Sequence, residues 1–120
     1  MSSSGRLEEY GIDPTTNERL RVIRKENQRG EKVVHHVNAQ GQMHGTFKVY
    51  TPNGKQLLEE CVYKNGIFHG QMFSYHPNGK MASIGNFLEG RPEGQFQRWS
   101  DQGQLLEKKF YKSGFLEGEV

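Results

Sequence analysis

Five histidines, one cysteine and the paired acids Glu59-Glu60 are the side chains of this 120-residue chain best suited to chemistry. Metal ligation comes first. His35 and His36 are consecutive, so on a strand they point to opposite faces. His44 and His69 each stand directly before a glycine, 25 residues apart, and Glu93 and Glu117 follow in the equivalent places. Histidine exchanging with glutamate reads as an exposed polar slot. Equivalent side chains two strands apart lie ~9.6 Å from each other, too far to share an ion bound at ~2.0–2.1 Å per nitrogen. Nucleophilic catalysis fares no better, because Cys61 falls where Gly85 and Lys109 sit in the sister positions. Glu59 and Glu60 face opposite ways on a strand and cannot act as a paired acid and base. Lys55 and Lys80 follow Asn-Gly as hairpin turns require, and neither ends a phosphate loop. The expectation is no catalytic residue, no metal site, no cofactor and no enzyme.

What positions these residues is a repeat. Gly-x-x-x-Gly occurs at Gly41–Gly45, Gly66–Gly70, Gly90–Gly94 and Gly114–Gly118, in steps of 25, 24 and 24 residues. A second series, Gly30, Gly54, Gly79 and Gly103, interleaves with it at steps of 24, 25 and 24. Tyr63, Phe87 and Tyr111 each precede the first glycine of a pair by three residues, and Tyr50, Tyr75 and Trp99 each follow the second by five. A fixed period of this length is one supersecondary unit stacked on copies of itself.

The unit is a β-hairpin. Glycines this frequent would each cost a helix about 1 kcal/mol, and no apolar stripe at 3.6 spacing compensates. Asn53-Gly54 and Asn78-Gly79 predict type I′ turns, with Gln102-Gly103 a weaker version. Strands are expected near 19–26, 31–38, 46–51, 56–64, 71–76, 81–87, 95–100 and 104–111. Leu57, Glu59, Cys61 and Tyr63 are expected on one face, as are Met81, Ser83, Gly85 and Phe87. The fold class is all-β: a meander of hairpins forming one elongated, twisted single sheet, roughly 35–40 Å long. Residues 1–18 read as a flexible lead-in and 19–41 as a degenerate cap repeat. Full repeats follow at 41–65, 66–89 and 90–113, with a partial one at 114–120.

Composition agrees with an open sheet. Hydrophobic residues are 32% of the chain, and 15 glycines stand where side chains would fill a closed core. Mean hydropathy is −0.87, yet 13 aromatics at repeat-locked positions and a net charge of +2 argue for order. Basic and acidic groups number seven and six in residues 1–40 and nine and eight in the rest, so no nucleic-acid partner is expected. One cysteine forms no internal disulfide, which fits a cytoplasmic location. The N-terminus lacks the apolar segment of a secretory signal.

The segment from Asn65 to Lys80, NGIFHGQMFSYHPNGK, resembles the MORN-repeat variant family, whose bacterial members are often labelled antitoxin components of toxin–antitoxin systems. The pattern covers about residues 27–120, with departures at Gln102-Gly103 and Arg91-Pro92. The resemblance implies a hairpin array acting as a protein-interaction or scaffolding module, antitoxin-like in the labelled members, and no chemistry. The alternatives are a peripheral membrane or lipid binder, which the absence of a basic cluster disfavours, and a structural component of a larger assembly. Expected partners are another protein or a second copy joined edge to edge after Tyr111, where the pattern calls for another strand. Partner-binding candidates are Phe68 and Phe115, inside the glycine pairs, and the series Tyr50, Tyr75 and Trp99.

Overall fold

From Thr51 onward two kinds of turn alternate along the chain, and they explain the two glycine series there. The computed structural model describes residues 9–13 and 17–119, with side chains as far as Leu116. Asn65-Gly66, Glu89-Gly90 and Ser113-Gly114 have positive φ at both positions, 50° and 87° for the first pair, which is the type I′ geometry. In each, the glycine N–H reaches back one repeat: Gly66 to the Met43 carbonyl at 2.7 Å, Gly90 to Phe68 at 2.8 Å, Gly114 to Pro92 at 3.1 Å. These bonds lock each repeat to the one before it.

The other series turns differently from expectation. Asn53 and Asn78 do not have positive φ. Gly79 donates to the His76 carbonyl at 2.8 Å and His76 to Lys80 at 2.8 Å, so Pro77-Asn78-Gly79 is a three-residue loop. Gly54 closes the same turn on Thr51 at 2.7 Å, in a loop one residue longer. Pro52 and Pro77 sit at the second position of a type I turn, which their fixed φ suits, and the left-handed glycine takes the fourth. The Asn78 side chain then accepts the Lys80 N–H at 2.9 Å.

Among the described residues twelve strands result: β1 (Glu9–Ile12), β2 (Arg19–Glu26), β3 (Lys32–Val37), β4 (Gly45–Tyr50), β5 (Leu57–Lys64), β6 (Ile67–Phe68), β7 (Gly70–Tyr75), β8 (Met81–Leu88), β9 (Arg91–Pro92), β10 (Gly94–Trp99), β11 (Leu105–Lys112) and β12 (Phe115–Glu119). They form one antiparallel sheet in meander order, with β6 and β9 as short spurs pairing back on β5 and β8. The eight expected strands are all present within one residue at each end. Two corrections apply at the ends of the array. The lead-in is not loose throughout: Glu9–Ile12 pairs with Arg19–Val22, while residues 1–8 and 14–16 lie outside the described residues. The edge expected after Tyr111 is covered by β12. With strands added at both ends, the long axis is 56 Å rather than 35–40 Å. The radius of gyration, 16.4 Å, exceeds the ~14 Å of a compact chain this long.

Register separates the two faces, since directly opposed residues share a face. One transverse row runs Val49, Glu59, Ser74, Ser83, Arg98, Glu107 without stagger. On that face seven rings make a continuous ladder: His35, Phe47, Tyr63, Phe68, Phe87, Phe96 and Tyr111, at successive centroid distances of 5.6, 5.8, 4.7, 4.9, 5.5 and 5.0 Å. Tyr63, Phe87 and Tyr111 lie opposite Gly45, Gly70 and Gly94, which leave the rings room.

A β-bulge at the same place in each repeat, between residues 49 and 50, 74 and 75, and 98 and 99, pairs Tyr50 with Leu57, Tyr75 with Met81 and Trp99 with Leu105. The extra residue reverses parity. Leu57 and Met81 therefore leave the face expected for them and join Tyr50 and Tyr75 on the other. Among the described residues the buried apolar side chains are Leu20, Val33, Val37, Val49 and Cys61. The segment expected to be a degenerate cap thus supplies three of the five.

Candidate interaction surface

The five expected partner-binding rings divide between two faces. Tyr50, Tyr75 and Trp99 stand on the face opposite the ring ladder, one per repeat and half-buried. Each faces an apolar cross-strand neighbour, which gives a row Tyr50, Leu57, Tyr75, Met81, Trp99, Leu105 across six strands. The loops at the row's end are tied together: His76 Nε2 donates to the Trp99 carbonyl at 2.9 Å, and Asn78 Nδ2 to the Asp101 carbonyl at 2.8 Å. These bonds tie the loop after Tyr75 to the loop after Trp99.

Phe68 is placed otherwise. It is stacked between Tyr63 and Phe87 at an interplanar angle of 19° on each side, and it belongs to the ladder rather than to a free surface. Phe115 is 74% exposed. It holds the repeat position from which Ile67 approaches Gly90 and Arg91 approaches Gly114, so it presents the seat for a further hairpin turn.

His44 is buried rather than an exposed polar slot. Its Nδ1 accepts the Asn65 N–H at 3.0 Å, and Glu93 Oε1 accepts the Ser113 N–H at 2.8 Å in the equivalent place. The slot therefore takes any side chain with an acceptor at that reach, which is why histidine and glutamate exchange there. Nε2 of His44 faces Asp13 Oδ2 at 3.1 Å and Glu18 Oε1 at 3.8 Å. The three side chains lie close enough for a common ion. The hydrogen bonding opposes it: an amide N–H only donates, so Nδ1 carries the lone pair and Nε2 carries the proton. Nε2 donates to Asp13 and has no electron pair left for a metal. Sequence reasoning missed this cluster because Asp13 and Glu18 belong to the segment expected to be loose.

Cys61 is buried, and its thiol is pushed up to about 11 by desolvation, with Glu59 and Glu60 adding to the shift. A thiol so protonated is a poor nucleophile at neutral pH. His35 is 7% exposed, and neither ring nitrogen has a hydrogen-bond partner. Burial lowers its pKa, and Lys25 lowers it further. Both residues lie in the apolar strip beside Phe47, where they act as packing groups.

The repeat geometry agrees with a known family. A family model for the MORN repeat variant matches residues 43–65, 68–89 and 92–113, more than half of the chain. The chain belongs to the MORN repeat variant family. Each matched MORN window opens within a residue of the carbonyl that takes the next repeat's turn-glycine N–H, at Met43, Phe68 and Pro92. Thus the family's repeat boundary coincides with the physical lock between hairpins. No curated protein and no solved structure matched the chain. MORN repeats are a non-catalytic repeat type associated with binding proteins or membranes, and this array is a module of that type.

Proposed function

We propose that this protein is a scaffolding module that binds another protein through the row formed by Tyr50, Tyr75 and Trp99. The observation that carries the reading is the repetition: each repeat turns one half-exposed aromatic and its apolar neighbour onto the face that the ring ladder does not use. Half-exposed aromatics on a rigid support form interface hot spots, because little side-chain entropy is lost on binding. The buried thiol of Cys61, the single cysteine, fits a reducing cytoplasmic setting.

The test is capture from a lysate of the source cell with the protein and with a Tyr75→Ala/Trp99→Ala variant of unchanged circular dichroism. A stoichiometric protein retained by the first and lost by the second supports the reading. Retention by both removes the row as the binding surface. Liposome flotation separates the membrane alternative: recovery with anionic vesicles and no protein partner would replace the reading.

Self-association is favoured by a different feature, the exposed Phe115 at a turn-seating position. Sedimentation of the protein and of Phe115→Ser decides it. A dimer dissociated by the substitution supports this second reading, and a monomer in both cases ends it.

A further inference from the structure

The row has a period, and that period matches one kind of ligand. Positions 49, 74 and 98 occupy one transverse row with no stagger, so Tyr50, Tyr75 and Trp99, one residue further along, are aligned as well. Two antiparallel strands separate successive rings, a spacing of ~9.6 Å. A polyproline II helix advances ~3.1 Å per residue with three residues per turn, or ~9.3 Å per turn. An extended β-strand offers same-face side chains every ~6.8 Å and an α-helix advances 5.4 Å per turn, and neither keeps step with the rings. Over two intervals the polyproline mismatch is only about 0.6 Å.

We propose that the row binds a proline-rich segment in polyproline II conformation, running across the strands, with a proline at every third residue stacked on Tyr50, Tyr75 and Trp99. This rests on the reading of the row as a protein-binding surface and names its partner class. Planar rings spaced along a shallow groove are the usual receptor for such segments, which lose little entropy on docking. Charge selects within that class. Lys55 and Lys80 at the loop end of the row and Lys108 one position further into the face form no ion pair among the described residues, against Asp101 at the same end. The excess is positive, so the segment carries acidic residues between its prolines.

Trp99 is the single tryptophan and lies in the site, so its emission reports occupancy directly. The probe is a synthetic (Glu-Pro-Pro)3 peptide, with (Glu-Gly-Gly)3 as a control of equal charge and length. A saturable change in Trp99 emission below ~1 mM, weakened at least about fivefold by glycine, by Tyr75→Ala and by raised salt, is the expected result. Tyr75→Phe keeps the ring and should retain binding, which separates loss of contact from loss of fold. Equal response to both peptides, or none to either, overturns the inference. If a partner is still captured through the row while the proline peptide fails to bind, the binding-module reading stands and the polyproline ligand falls. If row substitutions alter neither capture nor peptide binding, both fall.

Discussion

The two halves of the sheet have the same hairpins and different means of cohesion. Between residues 13 and 61 lie all the buried apolar side chains among the described residues, Leu20, Val33, Val37, Val49 and Cys61, and the buried polar ones, Asp13, His35, Asn38 and His44. Beyond Cys61, Gly85 is the one buried residue among those described. Leu88, Leu105, Leu106, Phe115 and Leu116 are each more than half exposed there. The first half is held by a thin core and a polar seam from Asp13 through His44 to Asn65. The second is held by turn-to-repeat hydrogen bonds and by the ring ladder, whose contacts are worth about 0.5–1.5 kcal/mol each beyond area burial. A single sheet can therefore anchor itself at one end and extend by identical locks toward the other. This is the nearest-neighbour energetics expected of a repeat array.

Removing the anchor should have the largest effect. Leu20 is 3% exposed, and its Cδ1 lies 3.1 Å from where a Cβ on Gly45 would stand. Leu20→Ala should cost about 2–4 kcal/mol in urea unfolding, whereas Leu105→Ala, half exposed, should cost under about 0.5 kcal/mol. Equal losses would dissolve the contrast between the halves.

The ladder can be broken without touching the anchor. A Cβ on Gly85 would stand 2.3 Å from Cε2 of Phe96, whose ring covers the glycine. Gly85→Ala should destabilise by about 1–3 kcal/mol through displacement of that ring. Hydrogen exchange should show the change in residues 70–112 and little in 19–50. Uniform loss of protection would mean the halves unfold as one unit.

Acid should loosen the first half selectively. His35 has a folded pKa below its ordinary 6.5, by burial first and then Lys25. The unfolded chain therefore binds this proton more readily, and stability falls as pH drops through about 6.5 toward the folded value. His35→Phe should remove that part of the difference between pH 7.5 and pH 5. An unchanged pH profile would show that the ring is solvated. The smallest effect belongs to Phe115→Ser, expected within about 0.5 kcal/mol of the parent by thermal melting.

Several features were legible before any coordinates. Strand positions followed from glycine punctuation, and Tyr63, Phe87 and Tyr111 were visible as part of the repeat, though not as rungs of the ladder they join. Pro52 and Pro77 also held the information that corrects the turns, because proline before Asn-Gly suits a type I turn with glycine last. Glu89-Gly90 and Ser113-Gly114 gave no such signal. Nothing local shows that glutamate and serine are held at positive φ of 52° each, a strain the repeat lock offsets. The Asp13–His44 contact spans 31 residues, and short-range patterns do not reach that far.

By itself the sequence determined the repeat, its period and its single-sheet architecture, since glycine and aromatic spacing act through local turn and strand geometry. The tertiary structure alone decided which rings share a face. One bulge residue per repeat reverses side-chain parity on the partner strand, sending Leu57, Met81 and Leu105 to the side of Tyr50, Tyr75 and Trp99, while pairing with Tyr63 keeps Phe68 in the ladder on the other. A two-residue alternation cannot show where that extra residue is inserted. Only the pairing of neighbouring strands does.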